Sequence, residues 1–308
     1  MKIFFYILVI IFLQNCSFDN KSGIWENSST EIKKTDKNFK DFKQVVLENE
    51  NFFNDVVELK KGFKFFLTPL SFPKKWNDLF FNENNINANY SYSDENQIIF
   101  QSKKISRNKI NKNILYNRNL LVASDDEGNI IVYSMKHKKI LHKYNFYKKK
   151  FKNIEIKLYY ILKDNYLYVS DNIGYLYAYD FYKNKIIWAK NYKIPFRGNL
   201  KIFKNKLVAT NQNNSLFIFN KSDGNILKTI PTEETVVKNK FKNNLAINNK
   251  TLFLINTFGS VYSVDLENLR INWFINLNES ISLNNSNLFY GSPILSFKNK
   301  LIVSSNQL

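Results

Sequence analysis

Reactive side chains are scarce in this sequence. The 308 residues include a single cysteine, Cys16, and two histidines, His137 and His142. One thiol cannot form an intramolecular disulfide, and two histidines five positions apart do not supply the convergent ligands of a zinc site. The sequence also contains no phosphate-binding glycine loop and no serine nucleophile elbow. It therefore offers no catalytic, metal-binding or cofactor-binding candidate, and both histidines are interpreted as structural or surface residues.

Acidic residues are few as well. The 26 aspartates and glutamates face 45 lysines and arginines, which gives a net charge of +19. Clustered basic residues would indicate phosphate binding and hence a nucleic-acid partner. The lysines are instead scattered over predicted turns and strand ends, and the densest run, Lys148–Lys150, is short. We interpret the charge as a solvated surface and predict no nucleic-acid partner, which leaves open whether the charge has a role of its own.

Glycine is limited to eight residues, but three of them open copies of one repeated stretch. The four copies are Gly128–Ser134, Gly174–Asp180, Asn214–Asn220 and Gly259–Asp265. Their first residues lie 46, 40 and 45 positions apart. A nearly constant period in this range is typical of repeat architectures.

Each copy stands third in a unit of four short apolar runs. Two runs precede it, joined by a polar, Asn-bearing turn that predicts a hairpin, and a fourth run follows. In the second unit these three runs are Tyr159–Leu162, Leu167–Val169 and Lys185–Trp188. Units of four short strands at this period are typical of propeller blades. The sequence therefore predicts an all-β fold, a β-propeller of four-stranded blades.

The second unit carries the most specific signature. Its residues Ala178-x-Asp180-x-x-x-Asn184-x-x-x-Trp188 resemble the Ala-x-Asp-x-x-x-Gly-x-x-x-Trp signature of PQQ-like, quinoprotein-type propeller repeats. The other copies are degenerate but keep the same register. The structural repeat positions are Gly128, Gly174, Ala178, Asp180, Trp188, Gly259, Asp265 and Trp273.

Repetition decides how the polar and aromatic residues of these units are interpreted. Asp180 and Asp265 could be catalytic carboxylates, but their recurrence at one blade position predicts turn caps. Trp188 and Trp273 are predicted to pack between neighbouring blades rather than to bind a ligand. The stretch Asp125–Gly128 is similar to the start of a calcium loop, but no second half follows and a hairpin turn is predicted.

The N-terminus reads as a targeting segment. Residues 1–15 form a short basic start and an apolar run, Ile3–Leu13, that is too short to span a bilayer and is typical of a signal peptide. The segment ends at Cys16, in a sequence that resembles a bacterial lipobox, so Cys16 is predicted to be lipidated; an ordinary signal peptide is the alternative. Residues 16–55 are predicted to be a polar tether. Residues 56–308 are predicted to be the propeller with an N-terminal lead-in, and clear repeats begin at about residue 113.

A lipoprotein signal, a tether and degenerate PQQ-like repeats together resemble the BamB family of outer-membrane protein assembly factors. The resemblance implies a non-enzymatic propeller of eight blades, without a cofactor, anchored by its lipid to the periplasmic face of the outer membrane. It also implies a BamA-like barrel-assembly subunit and nascent outer-membrane proteins as partners. The alternatives are a periplasmic PQQ-dependent dehydrogenase-like enzyme and a lipid-anchored propeller with another protein partner.

The number of units predicts an incomplete propeller. Four units run from about residue 113 to 276, and a fifth begins at Pro293 and stops at Leu308. Eight blades would need about 100 further residues at the usual ~40–45 residues per blade. We therefore expect an incomplete or truncated ring of about five blades. In the lead-in, the apolar run Ile98–Phe100 predicts a further strand.

Overall fold

The computed structural model divides the chain into two compact units, residues 1–40 with 282–284 and residues 41–281 with 285–308. The structure describes residues 62, 69–70, 75–87, 89–90, 98, 100–147, 150–151, 154–236, 241–277 and 291–304, all in the second unit. Cys16, the predicted signal peptide and the predicted tether lie outside the described residues, so their assignments stay predictions.

Within the described residues the chain forms nineteen strands and no helix. Blade 1 comprises β2 (Leu115–Asn117), β3 (Leu120–Ser124), β4 (Asn129–Ser134) and β5 (Lys139–Asn145), with the short β1 (Lys75–Trp76) added beside β2. Blade 2 comprises β6 (Leu158–Lys163), β7 (Tyr166–Asp171), β8 (Tyr175–Asp180) and β9 (Lys185–Asn191). Blade 3 comprises β10 (Lys201–Phe203), β11 (Lys206–Thr210), β12 (Leu216–Asn220) and β13 (Ile226–Ile230). Blade 4 comprises β14 (Asn244–Asn248), β15 (Thr251–Ile255), β16 (Ser260–Asp265) and β17 (Arg270–Asn276), and blade 5 is described as the hairpin of β18 (Leu295–Phe297) and β19 (Lys300–Ile302).

Every blade is an antiparallel meander, in which each strand pairs with the next one along the chain. The predicted all-β propeller of four-stranded blades is therefore confirmed. Its four repeated stretches are the third strands of blades 1 to 4. The described residues form four such blades and one hairpin of a fifth, as expected for an incomplete propeller of about five blades. The strand predicted at Ile98–Phe100 was wrong, since Ile98 and Phe100 lie in irregular backbone.

Burial changes from one end of each sheet to the other. All six residues of β4 and of β16 are buried, whereas the residues of β9 alternate between exposed and half-buried. A strand covered on both faces is a continuous apolar run, and a strand with one wet face alternates. The third strands are therefore sandwiched between neighbouring blades, and the fourth strands form the outer edge.

Apolar side chains fill the spaces between successive blades. One cluster joins blades 1 and 2 through Val132 and Tyr177, and a second joins blades 2 and 3 through Ala178 and Phe219. Two further clusters join blade 3 to blade 4 and blade 4 to blade 5. Because each cluster draws on two blades, a single blade cannot bury its own core, and the repeats stabilise one another.

A β-bulge recurs between the third and fourth strands of every complete blade. In blade 2 the register shifts between Ala178 and Tyr179, which leaves Ile187 without a partner and sets Trp188 opposite Ala178. The same shift occurs in blades 1, 3 and 4. A bulge re-aims the side chains that follow it. In blade 2 the unpaired residue is Ile187, which is exposed and directly precedes the tryptophan of the signature.

The turn that follows each third strand contains a left-handed residue. It is Lys138, Asn184, Gly224 or Leu269, with φ of 51°, 53°, 74° and 56°. This is the glycine position of the repeat signature, and glycine and asparagine adopt the conformation most easily. Blades 1 and 4 therefore hold a strained lysine and leucine where the signature calls for glycine.

An inner segment, residues 75–87, runs along the first strands of the blades. Trp76 pairs with Tyr116 at the edge of blade 1. The carbonyl of Asn77 then accepts a hydrogen bond from the amide of Leu162 in blade 2, at 2.8 Å. The segment therefore begins as an added strand and passes to the neighbouring blade after two residues.

The same segment continues to the last two blades. The carbonyl of Glu83 accepts a hydrogen bond from the amide of Ile247 in blade 4 at 2.7 Å, and that of Asn84 accepts one from Ser296 in blade 5 at 3.1 Å. These are single bonds and not a regular ladder. Among the described residues β18 pairs with β19 alone. The inner segment thus joins the N-terminal region to blade 5 without completing its sheet.

Blade 3 meets the inner segment through a buried ion pair. The ammonium group of Lys201, on β10, lies 2.7 Å from Asp78 Oδ2 and also donates to Asn82 O at 2.9 Å and Asn85 Oδ1 at 2.6 Å. Both charged side chains are almost completely buried. Burial raises the pKa of Asp78 and lowers the pKa of Lys201, while each charge opposes the shift of the other. Three acceptors around one ammonium make this contact specific as well as charged.

Candidate functional site

The second and third strands of each blade are joined by turns that lie at the same end of the sheets as the connections between blades. We call this end the connecting face, and it comprises those turns together with the described residues of the connections, 146–147, 150–151, 154–157, 192–199, 231–236 and 241–243. Its opposite, the hairpin face, comprises the turns between first and second strands and between third and fourth strands. This division follows from the meander order of every sheet.

A repeated cap orders the turns of the connecting face. In blade 2, Asp171 Oδ1 accepts hydrogen bonds from the amides of Ile173, Gly174 and Tyr175 at 2.8, 2.7 and 2.8 Å. Equivalent side-chain oxygens cap the turns of the other complete blades, from Asp125, Asn211 and Asn256. Asp and Asn side chains stabilise turns in this way. This set of caps was not predicted from the sequence, although its members recur at the repeat period.

The turn that resembles a calcium loop is one of these capped hairpins. Asp125 accepts hydrogen bonds from Ser106 Oγ at 2.7 Å and from the amide and side chain of Asn129 at 3.0 and 2.8 Å. Its oxygens are thus engaged by protein donors, as in a structural turn. Across the residues that the structure describes, no group of three or more His, Cys, Asp and Glu side chains comes close enough to hold a metal ion.

The connections between blades pack directly on these turns. Gly128, with φ of 78°, lies so close to Tyr147 that an added Cβ would stand 2.7 Å from the ring. Gly174, with φ of 109°, lies against the backbone of Ile194 in the next connection. The glycines of the repeat therefore serve close packing as well as the left-handed turn. Gly259, with φ of 82°, occupies the same turn position in blade 4.

A buried hydroxyl links one connection to the cap of the next blade. Tyr147 donates a hydrogen bond to Asp171 Oδ2, and both residues are buried. Burial raises the pKa of Asp171, and the hydrogen bonds that its carboxylate accepts oppose this shift. Burial also raises the pKa of Tyr147, so its hydroxyl remains a donor at neutral pH. The pair fixes Tyr147 on blade 2.

Part of the connecting face is open to solvent. Ile154 is 50% exposed and Val236 is 90% exposed. Between blades 3 and 4, Glu233 accepts a hydrogen bond from Ser260 Oγ at 2.7 Å, and its amide donates to the hydroxyl of Tyr262. Burial raises the pKa of Tyr262 to about 12. The connections thus present apolar tips within a polar, ordered surround, which suits contact with another protein.

Asp180 and Asp265, which were predicted to cap turns, stand at the start of turns on the hairpin face. Asp180 Oδ1 accepts hydrogen bonds from the amides of Tyr182 and Lys183 at 3.0 and 2.9 Å. Asp265 Oδ1 accepts them from Glu267 and Asn268 at 2.7 and 3.0 Å. The bond from the Asn268 amide is the main reason that the pKa of Asp265 is lowered. The two carboxylates serve separate turns in different blades, and the structure does not bring them together.

Both signature tryptophans contact the following blade. Trp188 Nε1 donates to the carbonyl of Lys221 in blade 3 at 3.1 Å, and its ring covers Gly224, where an added Cβ would stand 2.6 Å away. Trp273 packs, like Leu301 and Val303, against the buried cluster of Ala246, Ile255, Val261 and Ile294 that joins blade 4 to blade 5. Ala178 lies opposite Trp188 on the neighbouring strand and is buried. These positions are those of residues that hold blades together.

The two histidines lie apart from these features. His137 is exposed in the turn after β4, and its amide donates to Ser134 Oγ at 3.1 Å. His142 is half-buried on β5, opposite Val132, at the place that Trp188 occupies in blade 2. In the part of the chain that the structure describes, no helix is long and apolar enough to cross a membrane.

Comparison with known proteins supports the architecture. The sequence matches no protein-family profile and no curated protein. Among solved structures, BamB from Moraxella catarrhalis is similar to this chain with a TM-score of 0.50 and 14% sequence identity, over 61% of this chain and 56% of BamB. At this identity the likeness concerns the fold, which is a propeller.

Two other structures have lower scores. The computationally designed Ika8 protein has a TM-score of 0.45 and 12% identity over 62% of this chain and 54% of its own. The β-propeller domain of Cps50 (Swd1) from Myceliophteria thermophila has a TM-score of 0.48 and 11% identity over 67% of this chain and 65% of its own. The chain thus spans a little over half the length of Ika8 and of BamB.

Proposed function

We propose that this protein is a non-enzymatic scaffold, lipid-anchored to the periplasmic face of the outer membrane, that assists the assembly and insertion of β-barrel proteins as part of a Bam-type complex. Its partners are a BamA-like barrel-assembly subunit and nascent outer-membrane proteins. The observation that carries the proposal is a propeller of degenerate PQQ-like blades in a chain whose sequence begins with a lipobox-like segment ending at Cys16.

The connecting face supports a protein partner. Described parts of its connections are held by the caps and by close packing, as at Tyr147 and Ile194, which lowers the cost of ordering these parts when a partner binds. Ile154 and Val236 supply exposed apolar tips, and the exposed Glu233 and Glu234 supply a polar border beside Val236. An apolar centre with a polar rim is the usual composition of a protein interface.

Site-directed photo-crosslinking in living cells tests the partner. A photo-reactive residue at Val236 or Ile154 should capture a BamA-like subunit, identified by mass spectrometry. The matched control is Ile187, which is 47% exposed but lies on the outer strand of blade 2. Capture at Ile187 and not at the connecting face would contradict the assignment of the surface. Stoichiometric binding of pyrroloquinoline quinone with Ca²⁺ would instead favour a quinoprotein-like enzyme.

Lipidation is tested separately. Cells fed an alkyne fatty acid should label the wild-type chain, and the Cys16→Ala variant should lose the label and leave the membrane fraction. Two or more acyl chains give stable anchoring, which one chain alone does not. Label that persists undiminished on Cys16→Ala protein would exclude a lipid at this residue.

A further inference from the structure

The hairpin face is a continuous surface built from the turns of successive blades. Lys204, in the turn between β10 and β11 of blade 3, forms a 2.6 Å ion pair with Glu267, in the turn between β16 and β17 of blade 4. Asn248, in the first turn of blade 4, donates a hydrogen bond at 2.8 Å to the carbonyl of Lys298 in the first turn of blade 5. Turns of neighbouring blades therefore lie side by side.

Exposed charge on the hairpin face is almost entirely positive. Its exposed basic residues are Arg118, Lys136, Lys138, Lys139, Lys163, Lys183, Lys185, Lys204, Lys250, Arg270, Lys298 and Lys300. The exposed acidic residues among the same turns are Asp164 and Glu267. Glu267 is matched by Lys204 and by Lys250, at 2.6 and 3.7 Å. The remaining carboxylates, such as Asp180, are occupied as turn caps.

The described turns and connections of the opposite face are balanced. Their exposed charged residues are Lys150, Lys157, Lys193 and Lys242 against Glu127, Glu155, Glu233 and Glu234. Residues 103–112 add five exposed basic side chains, Lys103, Lys104, Arg107, Lys109 and Lys112, beside the blade 1 turn of this face, where Lys109 O accepts a hydrogen bond from Asp126 N. The described part of this face is therefore positive as well, with a smaller excess of basic over acidic residues than the hairpin face. Among the described residues, the hairpin face carries an exposed basic side chain in every blade from blade 1 through blade 5 and has the larger excess of positive charge.

Aromatic rings stand among these charges. Tyr182 is 46% exposed and Phe297 is 40% exposed, each at the tip of a hairpin turn. The ammonium of Lys298 lies 5.4 Å from the centre of the Phe297 ring. Exposed aromatic rings set beside lysines are typical of surfaces that lie at a lipid–water boundary.

We propose that the hairpin face docks on the surface of an anionic phospholipid bilayer. This inference rests on the proposed function in one respect, because the lipid at Cys16 would bring that surface within reach. The charges are spread over five blades, whereas a protein hot spot is a compact, desolvated cluster. A broad surface of lipid phosphates fits a broad array of lysines, each contributing near the membrane within a Debye length. Docking in this direction turns the connecting face away from the lipid, towards a protein partner.

Vesicle sedimentation with the full chain tests the inference. The Cys16→Ala chain lacks the lipid, and binding through the apolar run Ile3–Leu13 would appear equally on pure phosphatidylcholine vesicles. It should bind vesicles that contain about one-quarter phosphatidylglycerol and ignore pure phosphatidylcholine, and about 1 M NaCl should release it because the Debye length is then ~3 Å.

Two matched variants locate the binding. The first replaces Lys136, Lys139, Lys163, Lys183 and Lys300 on the hairpin face by glutamine. The second replaces Lys103, Lys104, Lys109, Lys150 and Lys193, which lie elsewhere, and has the same net charge. The first should lower the partition onto anionic vesicles by about tenfold or more, and the second by about twofold or less. Equal melting temperatures would show that both remain folded.

The outcomes separate this inference from its alternatives. An equal loss in both variants would mean that binding follows net charge, and the inference would be overturned. Binding to a single-stranded oligonucleotide but not to anionic vesicles would overturn it in favour of nucleic acid. Crosslinking from Val236 to a BamA-like subunit is a separate readout: its loss would contradict the proposed function, while its persistence without vesicle binding would remove only the docking.

Discussion

The inner segment and the hairpin face hold two ion pairs of nearly equal length in opposite surroundings. Lys201 and Asp78 lie 2.7 Å apart, with side chains 0% and 5% exposed, where the inner segment crosses blade 3. Lys204 and Glu267 lie 2.6 Å apart, with side chains 65% and 42% exposed, between turns of blades 3 and 4. Distance alone would rank these contacts together. Solvent separates them, because water screens the outer pair and leaves the inner charges dependent on each other.

Removing one partner of each pair gives the largest expected contrast. Asp78→Ala leaves the Lys201 ammonium buried without a counter-charge, and it should lower the free energy of unfolding by about 3–5 kcal/mol. Glu267→Ala leaves Lys204 in water, and it should leave the free energy of unfolding nearly unchanged. Denaturant unfolding of the two variants beside the wild type measures both.

A double variant shows whether the inner loss comes from the unpaired charge. Lys201→Met in the Asp78→Ala background removes the buried ammonium while keeping an unbranched apolar side chain of similar length. It should recover part of the stability that Asp78→Ala loses, because no uncompensated charge then remains. If the Asp78→Ala chain were as stable as the Glu267→Ala chain, the buried ion pair would contribute no more to stability than the exposed one.

Adjacent residues on one outer strand give the next contrast. Trp188 is half-buried against blade 3, whereas Ile187 is unpaired at the bulge and 47% exposed. Trp188→Ala should lower the free energy of unfolding by about 2–4 kcal/mol, somewhat less than for a fully buried ring. Ile187→Ala should change it by about 0.5 kcal/mol or less. Thermal unfolding and partner crosslinking would be measured together, and lost crosslinking with unchanged stability would make Trp188 a contact residue.

The sequence predicted the outer parts of the molecule better than the inner ones. The blades repeat, so the apolar runs and the signature from Ala178 to Trp188 located the strands and the turns between them. The inner segment does not repeat. Its contacts are made by Asp78, Asn82 and Asn85 with partners more than 100 residues away, and no local pattern marks a polar residue for such a contact. Tertiary structure alone determines that Lys201, one lysine among many, is buried.

The caps of the connecting face are a different case. Asp125, Asp171, Asn211 and Asn256 recur at the repeat period, and each stands three residues before the start of a repeated stretch. The signal was therefore present in the sequence, but two aspartates and two asparagines do not register as one motif unless they are treated as equivalent hydrogen-bond acceptors. The exposed residues of the connections, such as Ile154 and Val236, follow no such period, since loop tips are free to vary.

The smallest expected effect concerns the strained turn of blade 1, on the tolerant outer side. Lys138 is exposed and holds φ at 51°, where the repeat signature has glycine and blade 3 has Gly224. Lys138→Gly should raise the free energy of unfolding by about 1 kcal/mol, because a left-handed conformation costs ~1–2 kcal/mol for residues with a side chain. The matched control is Lys139→Gly, one residue on, where the chain has entered β5 and glycine should lower stability by about 0.5–1 kcal/mol. Opposite signs in these neighbours, measured by denaturant unfolding, would show that the turn stores removable strain, whereas a loss in both would mean that the Lys138 side chain itself stabilises the hairpin.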